Sequence, residues 1–328
     1  MNAGAQIADE LAGRVSRATV IRRNESLAKH ATLRVGGPAD VYVEPASEAD
    51  LAGVVKFCGE RSLPFFVIGC GSNLLVRDGG FRGVVICLVH ASFSRIEVDG
   101  ERLRCGAGAK LKNVAVEAKR NGLSGVEFLE GIPGSVGGAL RMNAGAMGGV
   151  TFDVVESVRL MKVTRFGRGG AAASPCVAAA THPPDSNCAI VELTPKEMSV
   201  EYRGCGALKT NIALGVVFKC RAAPRVEIEQ RMKAFNEKRW ESQPAAPSAG
   251  CTFKNPPTIP AGKLIDELGL KGTRVGGAVV SAEHGNFIVN DGKATARDVL
   301  ELIAILQQRA KEARGIELQT EVEIIGED

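Results

Sequence analysis

The chain has 328 residues, of which 45% are hydrophobic and 24% charged, the balance of a soluble globular protein long enough for two or three domains. Its 41 basic and 37 acidic residues leave a net charge of +4 without a long basic run, which argues against nucleic-acid binding by a general electrostatic surface. Nine cysteines are scattered without a Cys-x-x-Cys pair and only four histidines are present, so neither a disulfide framework nor a bound metal is expected.

Scattered thiols fit a reducing cytosol. The stretch from Met1 to Leu27 has early acidic residues and no apolar core of signal-peptide length. No apolar run approaches the roughly 20 residues that span a bilayer. The expectation is a cytoplasmic protein with no membrane partner and no nucleic-acid partner.

Residues 1–30 read as a short helix or frayed arm. Val41-Tyr42-Val43 reads as a strand. Ser47-Glu48-Ala49-Asp50 is a capping-box-like start for a helix with Leu51, Val54, Val55 and Cys58 on one face. Phe65-Phe66-Val67-Ile68 is a short buried strand that runs into Gly69-Cys70-Gly71-Ser72-Asn73, and Leu74-Leu75-Val76 reads as strand again. A glycine loop at the end of a strand is a place where phosphates are often bound. It is not a Rossmann fingerprint, because the third glycine is missing and strand, not helix, follows. It is not a P-loop either, since no Gly-Lys-Ser/Thr follows. A Gly, Ser and Asn loop can still cradle a diphosphate through successive backbone N–H groups.

From Val84 to Val163 short apolar runs alternate with glycines, as in a second α+β lobe. Residues 165–189 lack periodicity and are expected to form a mobile surface insertion. Leu214 to Phe218 reads as a closing strand. A third unit is expected after Pro224, opening with a charged helix from Arg225 to Trp240. Thr295-Ala296-Arg297-Asp298 caps another helix, with Val299, Leu302, Ile303, Leu306 and Ala310 on one face and a stop near Gly315. The last strand alternates: Ile316, Leu318, Thr320, Val322 and Ile324 point one way, Glu317, Gln319, Glu321 and Glu323 the other. The expected division is an arm at 1–30, one lobe at 31–90, a second lobe at 91–222 and a third domain at 223–328.

Three segments carry the chemistry. The first is the loop Gly69 to Asn73. The second is Gly131-Ile132-Pro133-Gly134-Ser135-Val136-Gly137-Gly138, continuing to Met142-Asn143-Ala144-Gly145-Ala146. The third is Ala249-Gly250-Cys251-Thr252-Phe253-Lys254-Asn255-Pro256, which places a thiol in a tight glycine loop beside a lysine and an amide. Alone, each has a plain reading: ordinary tight turns and a packed thiol. In this order, together with His30-Ala31-Thr32-Leu33-Arg34-Val35-Gly36-Gly37-Pro38-Ala39, Tyr202-Arg203 and the stretch from Gly315 to Gly326, they resemble the UDP-N-acetylenolpyruvoylglucosamine reductase family. These flavoenzymes complete the muramic acid precursor of bacterial peptidoglycan. The resemblance runs from Asn24 to Gly326.

The resemblance implies an α+β fold: a two-lobed FAD-binding domain of the PCMH type, followed by an α+β substrate-binding domain. It implies FAD and NADPH as cofactors and a UDP-sugar enolpyruvyl ether as the small-molecule partner, acted on by a monomer. FAD would be held by Gly69, Gly71, Ser72, Asn73 and Leu74, and by Gly134, Ser135, Gly138, Asn143, Gly145 and Ala146. The catalytic set would be Arg203, Cys251 and Glu321. Hydride from reduced flavin reaches the terminal carbon of the enolpyruvyl group, and negative charge builds on the carboxyl side. Arg203 would stabilise that charge. Cys251 would protonate the adjacent carbon, and Glu321 would orient the substrate or help as a proton donor. Without the family match, Glu321 on a polar strand face reads as a solvated carboxylate. Arg239, Lys254, Asn255 and His284 are the expected substrate contacts, although a solvent role for His284 fits the sequence as well.

Serine is the more usual residue where this chain has Cys251. A free thiol has a pKa of about 8.5 and is the more willing acid, but a thiolate or an oxidised sulfur cannot protonate anything. Some relatives close the site with a tyrosine-bearing loop. This chain has only Tyr42 and Tyr202, which implies the subtype without that loop. Two rival functions remain open on the sequence: another FAD-dependent oxidoreductase on the same fold, such as an oxidase of small alcohols, and a flavin-binding protein without turnover.

Overall fold

The structure, a computed structural model, describes residues 3–163 and 188–328. The expected insertion at 165–189 therefore lies almost wholly outside the described residues. Among the described residues no helix is long and apolar enough to cross a membrane, and no group of three or more His, Cys, Asp or Glu side chains could hold a metal.

Seven helices are present among the described residues: α1 (Ala3–Ala12), α2 (Glu48–Glu60), α3 (Leu111–Arg120), α4 (Val136–Met142), α5 (Arg225–Ser242), α6 (Ala261–Glu267) and α7 (Ala296–Arg314). The chain divides into two compact units that do not follow chain order. The first holds residues 1–24, 40–69 and 83–236, and the second holds 25–39, 70–82 and 237–328. This differs from the four consecutive segments expected from the sequence.

In the first unit, strand Phe65–Ile68 runs parallel to Phe81–Cys87, with Phe65 opposite Val84 and Ile68 opposite Cys87. Helix α2 enters from Ser47, whose Oγ accepts the Asp50 N–H at 3.1 Å. The Asp50 carboxylate in turn accepts the N–H and hydroxyl of Ser16, at 2.7 and 2.9 Å. The expected arm at 1–30 is thereby corrected: it contains strand Val20–Ser26, the outer member of a four-stranded sheet, and Ser16 is tied to the start of α2. A second, five-stranded sheet is antiparallel throughout, in the order Ile190–Leu193, Val155–Met161, Ile212–Lys219, Arg102–Gly106, Ile96–Asp99. Its central strand, Ile212–Lys219, is buried along seven of its eight positions.

Helix α5 starts where the sequence places a third domain, yet residues 225–236 belong to the first unit. Ile228 and Met232 enter the first core. Arg231 Nη1 donates to Ser124 Oγ at 2.8 Å and to the buried carboxylate of Glu127 at 2.9 Å. The carboxylate is buried and the guanidinium is 37% exposed, so the contact ties the helix to the lobe while the arginine still reaches water.

The second unit is built on an antiparallel sheet in the order Ser248–Cys251, Phe287–Asn290, Ala278–Val280, Arg274–Val275. Glu323–Ile325 pairs in parallel with Leu74–Val76. Leu33, Val35 and Leu75 pack in the same core as Phe253, Leu302 and Leu306, which is why 25–39 and 70–82 belong with the C-terminal part. Helix α7 has the expected reciprocal cap: Thr295 Oγ1 accepts the Asp298 N–H at 3.1 Å, and the Asp298 carboxylate accepts the Thr295 N–H at 2.9 Å. Gly315 ends it at φ 65°. Asp78 adds two bonds that the local pattern does not show, accepting the N–H groups of Ala296 and Arg297 at 2.9 Å each.

The long alternating C-terminal strand is also corrected. Between residues 316 and 325, pairing is confined to a single bridge, Phe253 to Thr320, and to Glu323–Ile325. The Thr252 carbonyl faces both the Glu321 N–H, at 2.8 Å, and the Val322 N–H, at 3.4 Å. Two residues against one is the geometry of a bulge, and it shifts the alternation. Leu318 and Val322 are buried as expected, but beyond the bulge it is Ile325 that is buried.

Candidate active site

The second unit holds the loop 71–74, Cys251, Lys254, Asn255, His284, Glu321 and the last turn of α5 with Arg239. Gly71 has φ +61°, and a Cβ there would lie 2.1 Å from the His30 carbonyl oxygen, so only glycine fits. The Thr32 hydroxyl lies 2.6 Å from the Ser248 carbonyl and 3.3 Å from that of Gly71, joining the loop to the strand that carries Cys251. The N–H groups of Gly71, Ser72 and Asn73 meet no acceptor among the described residues. Three successive open donors around a buried glycine fit an anionic group such as a pyrophosphate. Leu74 is buried in the strand that follows.

Cys251 ends strand Ser248–Cys251, opposite Phe287, past an irregular register at Gly250. The loop expected around the thiol is thus the bulged end of a strand. The next residues are gripped on both sides. On one side Asn286 Oδ1 accepts the Phe253 N–H at 2.8 Å and Nδ2 donates to the Phe253 carbonyl at 2.7 Å, while the Thr252 N–H donates to the Asn286 carbonyl at 2.8 Å. On the other side the Lys254 N–H donates to Gln319 O at 2.9 Å, and the Glu321 N–H to Thr252 O at 2.8 Å. Cys251 and Glu321 therefore sit on adjoining antiparallel segments. Asn286 is 2% exposed, and its amide reproduces a strand's hydrogen bonds. Sequence reasoning passed over it; the His284-Gly285-Asn286 turn composition is the one local signal for it.

Arg239 is half-buried. Its guanidinium lies 5.4 Å from the Trp240 ring centroid, and its Nε is buried without an acceptor among the described residues. Burial holds this group below the ordinary arginine value, so an anion beside it would be stabilising. Asn255 Oδ1 accepts the Ala261 N–H at 3.0 Å, fixing the start of α6.

The His284 ring packs against Phe287, with centroids 4.9 Å apart at 63°, and its Nδ1 accepts the Asn286 N–H at 3.1 Å. That bond puts the neutral ring's proton on Nε2. Burial holds His284 below the usual histidine value of 6.5, and the Lys271 ammonium pushes the same way. A histidine with a lowered folded pKa takes its proton first in the unfolded chain. Its contribution to stability is present above about pH 6.5 and is lost as pH falls toward the folded value. The melting temperature of the parent should therefore fall further between about pH 7.5 and about pH 5.5 than that of His284→Gln, by thermal denaturation. Equal falls would remove His284 from the acid sensitivity.

The first unit holds Gly69, Gly134, Ser135, Gly138, Asn143, Gly145, Ala146 and Arg203. Ser135 is buried, and its Oγ accepts the Gly138 N–H at 3.4 Å at the start of α4. Asn143 ends α4 in the left-handed region at φ 38°. Its Oδ1 accepts the Phe152 N–H at 3.2 Å, and its Nδ2 reaches the Glu201 carbonyl at 3.4 Å. The side chain thus links α4 to the hairpin Val200–Glu201/Gly204–Cys205, whose two-residue turn is Tyr202-Arg203. Arg203 has φ +55°, a region that costs an L-residue about 1–2 kcal/mol. Its guanidinium lies 5.3 Å from the Tyr202 ring centroid, and Nη1 is 3.4 Å from where a Gly145 Cβ would be. A Cβ at Gly145 would also meet Val150 Cγ1 at 2.7 Å, so the hairpin Gly145–Ala146/Gly149–Val150 admits no side chain there.

Residues 39–164 match the family model for an FAD binding domain. The fold and these loops define an FAD-dependent oxidoreductase of the PCMH type. Residues 243–325 match the model for the UDP-N-acetylenolpyruvoylglucosamine reductase C-terminal domain. The chain is 39% identical to UDP-N-acetylenolpyruvoylglucosamine reductase of Clostridium novyi, over 94% of this chain and 93% of that one. It is 40% identical to the enzyme of the same name from Syntrophomonas wolfei, over 94% and 96%. The crystal structure of UDP-N-acetylenolpyruvylglucosamine reductase from Thermus caldophilus superposes with a TM-score of 0.75 at 38% identity, covering 93% of this chain and 99% of that one. The chain belongs to the UDP-N-acetylenolpyruvoylglucosamine reductase family, whose cofactors are FAD and NADPH and whose work is peptidoglycan precursor synthesis.

Proposed function

We propose that the chain reduces UDP-N-acetylglucosamine enolpyruvate to UDP-N-acetylmuramate at the expense of NADPH, with Arg203, Cys251 and Glu321 as its catalytic residues. The observation that carries the reading is in the second unit. The Cys251–Lys254 segment lies antiparallel to 319–322, beside a loop with three open N–H groups.

FAD, when bound, supplies the hydride that reaches the enolpyruvyl carbon. The N–H groups of Gly71, Ser72 and Asn73 suit its pyrophosphate. The glycine-rich turns at Gly69, Gly134, Gly138, Gly145 and Ala146 offer backbone approach. The side chains of Ser135 and Asn143 brace those turns. Arg203 brings fixed positive charge to the carboxyl side of the substrate, where charge develops, and such preorganised groups contribute about 10²–10³ in rate. Cys251 delivers the proton to the neighbouring carbon. Glu321 orients the substrate or supports proton delivery. Arg239 and Lys254 supply charge for the substrate diphosphate, Asn255 a further amide, and His284 an Nε2–H donor. Tyr42 is buried in the first unit and the second unit contains no tyrosine, which supports the subtype without a tyrosine loop. On this reading the chain acts in the cytoplasm, as a monomer, on a soluble nucleotide sugar.

NADPH consumption that depends on the added enolpyruvyl substrate tests the reading against a different oxidase and against a flavin carrier. The flavin should be held without a covalent bond: His30 is paired with Glu25 at 3.0 Å, and the Cys87 thiol is buried. Acid precipitation should release yellow flavin to the supernatant. Colour left in the pellet would contradict this.

A further inference from the structure

We propose that Asn73 is a positioning residue that couples occupancy of the phosphate loop to the placement of Glu321, an inference that rests on the catalytic reading above. Asn73 holds the C-terminal segment twice. Its Nδ2 donates to the Glu321 carbonyl at 3.0 Å, and its own carbonyl accepts the Glu323 N–H at 3.1 Å. From there the two segments continue as a parallel pair, with Leu74 opposite Glu323. On its other side Glu321 donates its N–H to Thr252 O at 2.8 Å. The backbone of Glu321 is therefore pinned by its N–H to the Cys251 segment and by its C=O to the phosphate loop. Those two bonds set the direction in which its side chain leaves the chain.

The bond from Asn73 needs a side-chain donor of this length. Aspartate has the length but accepts only, and alanine has neither. The backbone N–H groups of Gly71, Ser72 and Asn73 meet no acceptor among the described residues, so an anion bound there would order the loop from the outside. Ordering the loop fixes Asn73, and Asn73 fixes Glu321. The consequence is that the cofactor's phosphates, once in place, steady the carboxylate on the last strand in the position that these two bonds set.

Hydrogen exchange at the amides of residues 321–323 tests the coupling without reference to turnover. In the flavin-loaded parent these amides should exchange about tenfold more slowly than in the flavin-free chain, while α7 amides at Val299–Leu306 stay unchanged. In flavin-saturated Asn73→Ala and Asn73→Asp they should exchange as fast as in the flavin-free parent. Reoxidation by the enolpyruvyl substrate should slow by about tenfold or more. Equal exchange with and without flavin in the parent overturns the coupling, whatever the variants do. So does parent-like protection in Asn73→Asp. Full activity of Glu321→Gln would instead overturn the role of that carboxylate, and the exchange result would stand apart from it.

Discussion

Cys251→Ala should lose one half of the reaction and keep the other. NADPH should still bleach the yellow flavin, because that half needs no acid from this strand. Recovery of the colour on adding UDP-N-acetylglucosamine enolpyruvate should slow by about 10²–10⁴-fold, the range of a general acid. The argument rests on placement. Cys251 lies at the bulged end of its strand, and the residues that follow it are fixed by Asn286 on one side and by 319–322 on the other. Loss of the sulfur should not disturb that frame, so the effect reads the chemistry. Cys251→Ser should retain much of the activity, since a hydroxyl can occupy the same position, and it should resist inactivation by peroxide or alkylating reagents. Rapid-mixing spectroscopy separates the two halves. Reoxidation of the alanine variant at the parent rate would make Cys251 a packed thiol and move the search for the donor to Glu321 or a bound water.

Arg203→Gly should separate function from stability. The residue sits at φ +55° in a two-residue hairpin turn, where glycine is the relaxed choice. Glycine should leave the melting temperature unchanged or raise it, by up to about 1 kcal/mol of stability. Turnover should fall by about 10²–10³-fold or more if, as proposed, the guanidinium meets the developing charge. Arg203→Lys should recover little, since a point charge does not reproduce the planar fork. Thermal unfolding and steady-state kinetics on one preparation decide the matter. A glycine variant that turns over normally would remove Arg203 from the proposed catalytic set.

The legible parts of this chain were those fixed within a few residues. Helix α7 is the clearest case. Its capping box at Thr295 and Asp298 and its stop at Gly315 are local chemistry, and the structure has both. The same holds for the start of α2 at Ser47. What failed to show were contacts made far along the chain. Nothing near Leu33 or Leu75 marks them as part of the C-terminal core, because that follows from the pairing of 74–76 with 323–325. Charge along α5 predicts a helix, but its attachment to the first unit depends on Arg231 finding Glu127, 104 residues away. The C-terminal alternation was correct up to Val322. It failed beyond, because one carbonyl, that of Thr252, faces two successive N–H groups. At the site, the glycine loops, Cys251 and Glu321 stand out by motif. The residues that hold them do not. Asn286, Thr32 and the cross-link from Asn73 act on backbone atoms, in the last case 248 residues away, and a backbone acceptor leaves no mark in the sequence.

The central claim is that this chain carries electrons from NADPH to an enolpyruvyl ether of a UDP-sugar. An anaerobic titration tests it most directly. The purified yellow protein should be bleached by one equivalent of NADPH, and the colour should return on adding UDP-N-acetylglucosamine enolpyruvate, with UDP-N-acetylmuramate formed in equal amount. Flavin that stays bleached with that substrate, or that regains its colour only when air is admitted, would contradict the account.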